Sequence, residues 1–262
     1  RFFGVGFPQR LAAGEAFLSG GAEWNKFARF DLIALRLHGW NLILVNWEYK
    51  IPKDWKVEFT ELSNGQSVDS RIYPDLQQMF DDMRAQEVYP VVASGYRTAK
   101  KQRELMDDKV DSFLAQGYSR SEAKSEAKKW VADVGYSEHQ TGLAVDINAD
   151  GVNSSGQQVY AWLADNAWKY GFILRYPEDK TEITKTDYEP LHYRYVGKEA
   201  AKEIYESGFC LEEYIGMMNW VMMAGKAQYA PLSFLKNRLK YPSFVTIQEV
   251  FLSKVTLPRI FV

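Results

Sequence analysis

One cysteine, Cys210, in 262 residues rules out an intrachain disulfide framework and any cysteine-rich zinc site. A bound metal must therefore draw its ligands from histidine, aspartate or glutamate, and the chain has only three histidines. An excess of basic charge is also missing. Lys and Arg number 32 against 34 Asp and Glu, for a formal net charge of −2, so no global field favours nucleic acid or anionic lipid. Nor is there a long hydrophobic run. The most apolar stretch, DLIALRLHGWNLILVNW (31–47), is interrupted by Arg36, His38 and Gly39 and falls short of the roughly 20 apolar residues a membrane helix needs. Nucleic acid is thus not an expected partner, and membrane association is not evident. The first twenty residues lack the basic-then-apolar order of a secretory signal, which leaves export open.

What is present is a 46% hydrophobic, 15% aromatic composition, enough for a sizeable core at this length. Residues 1–40 show no clear period, and LILVNWEYKIP (42–52) reads as a strand followed by extended chain. In RIYPDLQQMFDDMRAQ, the residues Leu76, Met79, Phe80 and Met83 fall at i, i+3, i+4 and i+7, the apolar stripe of a helix. YPVVASGYRT (89–98) turns to strand, with Gly95 as a break. Residues 99–133 suggest a helical hairpin whose second helix is capped by Ser119 or Ser121. GLAVDINAD (142–150) alternates as a strand, QVYAWLADNAWKYG (158–171) as a helix ended by Gly171, and 172–177 and 192–197 as further strands. Without a regular βαβ rhythm, the fold class is α+β, with a mainly antiparallel central sheet and flanking helices. Beyond residue 214 the Met-rich run MMNWVMMAG (217–225) reads as packing.

Two clusters could carry chemistry. In SEHQTGLAVDINAD (137–150), His139 and Asp146 lie on either side of a Thr-Gly turn, so a loop ligand and a strand ligand could meet at one ion. In that strand Leu143, Val145 and Ile147 would face one side, leaving Asp146 among small residues with Ala144 and Asn148 on the other. In YEPLHYRYVG (188–197), Glu189 and His192 stand three apart, and Pro190 opposes a regular helix, so an irregular strand entrance would bring them together. Glu189 could serve as general base while His192 binds metal. An isolated histidine beside a strand is more often structural, but these clusters hold two of only three histidines. His38 has no acidic neighbour and receives no role.

SEHQTGLAVDI fits an SxHxxGxAxD pattern and EPLH an ExxH pattern, with SGYR upstream and GFILRYP between them. Together they resemble the zinc D-alanyl-D-alanine carboxypeptidases of the VanY type, related to the VanX dipeptidases, over roughly residues 42–213. The resemblance implies the hedgehog/DD-peptidase fold and one Zn2+ held by His139, Asp146 and His192, with Glu189 as catalytic base. It further implies that Arg97 polarises the scissile carbonyl, that Ser137 takes the terminal carboxylate and that Gln102 helps to hold substrate. Tyr188 and Arg71 also fall in family-like surroundings, Tyr188 as a candidate substrate contact.

The implied reaction removes the terminal D-Ala from a peptidoglycan stem peptide, with Glu189 acting on metal-activated water. The same zinc chemistry would serve an L,D-carboxypeptidase, a D-Ala-D-Ala dipeptidase or an L-Ala-D-Glu endopeptidase, and a noncatalytic cell-wall-binding module is the reading from another class. Leu191 stands where the family commonly has tryptophan, which bears on substrate fit. The implied organisation is an N-terminal flank (1–41), a catalytic domain (42–213) and a C-terminal extension (214–262), the flanks having no assigned role. A cell-wall substrate implies an extracytoplasmic or cell-envelope location, whereas a free dipeptide would permit the cytoplasm.

Overall fold

The expected apolar stripe lies buried on helix α1, Tyr73–Arg84, in which Leu76, Met79, Phe80 and Met83 all face inward and Pro74 occupies the first turn. This computed structural model describes residues 39–226, with side chains through 219. His38, most of the N-terminal flank, and the chain after 226 lie outside the described residues, as do the side chains of the Met-rich run beyond 219.

A hairpin, β1 (Phe59–Glu61) and β2 (Ser67–Asp69), precedes α1. The central sheet has four strands, β3 (Pro90–Ser94), β4 (Ala144–Ala149), β5 (Phe172–Leu174) and β6 (His192–Tyr195), in the spatial order β3-β4-β6-β5. Every pairing is antiparallel, as the sequence suggested. Val145, Ile147 and Phe172 are fully buried; each contributes about 1.5–3 kcal/mol by leaving water.

The helical hairpin comprises α2 (Ala99–Ala115) and α3 (Arg120–Ala127). Ser119 forms a reciprocal capping box with Glu122, which fixes the start of α3. Helix α4 (Gly156–Asn166) packs on β4 and tightens into a 3-10 turn over Ala167–Tyr170 before Gly171 ends it at φ 87°. A short helix, α5 (Thr181–Thr184), precedes β6, and α6 (Lys198–Ser207) lies against β5 and the 167–170 turn. Helix α7 then runs Leu211–Lys226, through the boundary at 213/214 read from the sequence.

One sequence expectation is corrected. Residues 43–52 form no strand. Asn46 is the cause: its Oδ1 accepts from the backbone N–H groups of Glu48 and Tyr49, and its own backbone N–H donates to Tyr49 O, closing a side-chain-stabilised turn inside the apolar run.

Candidate active site

The glycine between His139 and Asp146 has a steric reason. His139 sits in a 3-10 turn, Glu138–Thr141, and Gly142 ends that turn in the left-handed region at φ 76°. A Cβ there would approach Asp69 N and a Val57 methyl, each at 3.1 Å. The chain then enters β4 directly, and Asp146 lies opposite His192 in the β4–β6 register. A register shift between Val92 and Ser94 on β3 also brings Ser94 opposite Asp146.

These elements converge on one carboxylate. Asp146 Oδ1 lies 3.2 Å from His139 Nε2 and 3.0 Å from His192 Nδ1. The three residues are buried, and their ligand atoms lie within 4.8 Å of one another, so they could hold a metal ion. The outer nitrogen of each ring is also placed: His139 Nδ1 is 2.8 Å from Gly95 O, and His192 Nε2 is 3.6 Å from Glu138 Oε2. Arg97 donates to Asp146 Oδ2 at 2.6 Å and to Ser94 Oγ at 2.8 Å, while its backbone N–H donates to His139 O. Glu189 Oε2 stands 3.6 Å from His192 Nδ1. Pro190 does keep this segment irregular, and His192 N–H bonds to Glu189 O in a turn at the strand entrance.

Electrostatics separate the carboxylates. Burial would raise Asp146, but the charge of His139 and hydrogen bonds from both histidines hold it well below the usual range. Burial lifts Glu189 above the ordinary carboxylate value, His192 opposing and Asp146 adding to the rise. Burial pushes His139 down against the pull of Asp146. His192 is pushed up to about 9, burial working against the Asp146 and Glu138 carboxylates that face its two ring nitrogens.

The other candidates are less central. Ser137 is buried at the head of the 3-10 turn, where its side chain makes no capping bond. Gln102 is buried in α2 and donates to Ala132 O at 2.8 Å, and its Oε1 is buried without a partner. Tyr188 is exposed and Leu191 half-buried. Arg71 pairs with Asp69 and lies 5.2 Å from the Trp55 ring centre.

Sequence reasoning passed over Glu138. This fully buried carboxylate accepts through Oε1 from Arg175 Nε at 2.9 Å and from Arg194 Nη1 at 2.7 Å. Burial would raise its pKa, but the two guanidiniums and His192 hold it well below the carboxylate range. Arg175 in turn donates to both oxygens of Glu212 in α7, at 2.9 and 2.6 Å, and Asn46 Nδ2 donates to Glu212 Oε1 at 3.0 Å. The available signal was an arginine in each of the apolar strand segments FILRYP and HYRYVG, since a buried guanidinium requires a carboxylate.

Comparison with known proteins identifies the family. The family model of VanY, D-alanyl-D-alanine carboxypeptidase, matches residues 65–198, which contain every sequence-derived site candidate. A D-alanyl-D-alanine carboxypeptidase of Enterococcus faecalis is 59% identical over 176 residues, covering 67% of this chain and 66% of the relative. Two solved structures superpose with a TM-score of 0.67 over 68% of this chain. One is a mutant of the vancomycin-resistance D,D-pentapeptidase VanY from the VanB-type cassette in complex with Zn(II), 58% identical and covered over 99% of its length. The other is VanYB in complex with D-alanine-D-alanine, 59% identical and covered over 98%. With half the chain matched by the family model and the same fold shared at such identity, the chain belongs to the VanY family of D-alanyl-D-alanine carboxypeptidases.

Proposed function

We propose that this chain is a zinc-dependent D,D-carboxypeptidase that removes the terminal D-Ala from peptidoglycan stem peptides. The observation that carries the reading is the convergence of His139, Asp146 and His192 on one buried point, with Glu189 beside it. The donor set fits zinc: two imidazoles and one carboxylate are the ligand number and types of a catalytic site that keeps a position open. Zn(II) and D-alanine-D-alanine are the ligands of the two VanY relatives described above, and they support the same assignment here.

Bound there, zinc supplies a Lewis acid that polarises the scissile carbonyl and makes water reactive near neutral pH. Glu189 is the general base. Its raised pKa brings it closer to the working pH, so it can take the proton of the attacking water and deliver it to the leaving amine. Arg97 uses part of its guanidinium to hold Asp146, and its remaining N–H groups donate to the carbonyl oxygen as negative charge grows there. Ser137, Gln102 and Tyr188 are assigned to substrate, Ser137 to its terminal carboxylate.

The catalytic unit is proposed to be 42–213, with helix α7 continuing past its end. No described helix is long and apolar enough to cross a membrane. A cell-wall substrate supports an extracytoplasmic or cell-envelope location, and a free-dipeptide substrate a cytoplasmic one.

The test is mass spectrometry of muropeptides and of D-Ala-D-Ala incubated with zinc-loaded protein, beside a Glu189→Gln variant and a chelated sample. Loss of one D-Ala from a pentapeptide, absent in both controls, is expected. Cleavage of the dipeptide alone, or of an L,D bond, would replace this specificity, and no cleavage despite bound zinc would leave a binding module.

A further inference from the structure

We propose that Glu138 is the positioning residue for His192, holding the imidazole through Nε2 so that Nδ1 faces the metal point. The inference rests on the metal site proposed above. Its basis is a division of labour between the two oxygens of one buried carboxylate. Oε1 is fully engaged by Arg175 Nε and Arg194 Nη1. Among the described residues neither Oε2 nor His192 Nε2 makes a hydrogen bond within the normal limit, yet the two atoms face each other at 3.6 Å. Both are buried, and one can donate and the other accept, so the imidazole–carboxylate contact at 3.6 Å is the one each is placed to make. On its other side the same ring presents Nδ1 to Asp146 Oδ1 at 3.0 Å.

The surroundings suit this task rather than general packing. Arg194 stands two residues after His192 on β6 and so shares its face, and Arg175 N–H bonds to His192 O. Arg175 and Arg194 both face Glu138, and Arg175 is also paired with Glu212, so Glu138 is held as the anion. An anionic acceptor behind a ligating imidazole fixes its ring orientation and strengthens it as a ligand, and loss of such a partner typically lowers metal affinity about 10- to 100-fold.

The experiment measures zinc affinity by competition with a chromophoric chelator, and the visible absorption of the Co(II)-loaded protein, at one pH. Wild type, Asp146→Ala, Glu138→Gln, Glu138→Asp and Glu212→Gln are compared, each with its metal-free melting temperature. Glu138→Gln is expected to weaken zinc about 10- to 100-fold and to alter the Co(II) bands. Glu212→Gln removes the same charge from the same cluster without touching His192, and should cost melting temperature with a much smaller effect on affinity. Should Glu138→Gln not fold, Glu138→Asp, which keeps the charge but withdraws Oε2, is expected to show the same spectral change. Wild-type affinity and Co(II) bands in the folded Glu138 variants would overturn the inference, as would affinity losses that follow melting temperature alike in the Glu138 and Glu212 variants. Wild type that binds no zinc, or binds it equally well after Asp146→Ala, would instead overturn the metal site itself.

Discussion

His139 and His192 meet edge to face, ring centres 4.8 Å apart at 87°, and offer opposite ring nitrogens to one oxygen of Asp146: Nε2 from the first, Nδ1 from the second. Each ring's remaining nitrogen faces a fixed oxygen, Gly95 O or Glu138 Oε2, so both donors are aimed before any ligand arrives. Asp146 is the hub of this arrangement. Asp146→Ala should leave protein that retains no stoichiometric zinc after dialysis, measured by atomic emission, and should also free Arg97 from its 2.6 Å contact.

The proposed role of Glu189 separates proton transfer from metal binding. Glu189→Gln keeps the shape of the side chain but removes its basicity, so turnover of a pentapeptide should fall by about 100- to 10,000-fold. Zinc content should stay at the wild-type level. Retained turnover in this variant would refute the assignment of the base.

Arg97 holds Asp146 and is proposed to reach the substrate carbonyl as well. Arg97→Lys keeps a positive charge near Asp146 but loses the fork that reaches both Asp146 and Ser94. Its expected effect is a fall in kcat of about 100- to 1,000-fold, the typical cost of one donor to a developing oxyanion. A change confined to KM would instead make Arg97 a substrate-binding residue.

The pH response of the metal-free protein follows from His192. Its folded pKa of about 9 lies above the ordinary 6.5, with burial opposing the Asp146 and Glu138 carboxylates that raise it. The protonated ring therefore stabilises the metal-free fold fully below pH 6.5, and this contribution fades as pH rises through about 9. Zinc requires the deprotonated ring, so its apparent affinity should climb across the same window. Thermal melts in chelator and zinc titrations between these limits check both trends, and an affinity that does not change with pH would contradict the second.

Gly95 gives a purely steric prediction. A Cβ at this position would lie 2.2 Å from Ser67 O, so Gly95→Ala must displace the end of β3 or the β2 strand. The expected cost is about 1–3 kcal/mol of stability. Because Gly95 O is the partner of His139 Nδ1, zinc affinity should fall with it, which paired melting and zinc titrations would show.

The same residues explain what could be read from the sequence. His139 and Asp146 are joined by a turn and a strand entry seven residues long, and Glu189 and His192 by a turn of three, so local spacing carried the chemistry. Glu138 was hidden because its meaning depends on arginines 37 and 56 residues away. Asn46 was misread for a related reason. The apolar residues around it alternate well enough for a strand, but its side chain closes a turn, and its amide then reaches Glu212, 166 residues further on. The helices were easier because each carries its own signal, as the Ser119 capping box and the α1 stripe show.

The Arg175–Glu212 pair also limits how this enzyme can be excised or grafted. The family match ends at 198, yet Arg175 has no exposed surface and gives two of its nitrogens to a carboxylate 37 residues later. A piece ending before α7 would remove the carboxylate that takes two of that guanidinium's nitrogens inside the protein, and breaking a buried pair of this kind costs about 3–5 kcal/mol. The C-terminal limit of a transplantable unit is thus set by charge pairing, and it lies no earlier than Glu212.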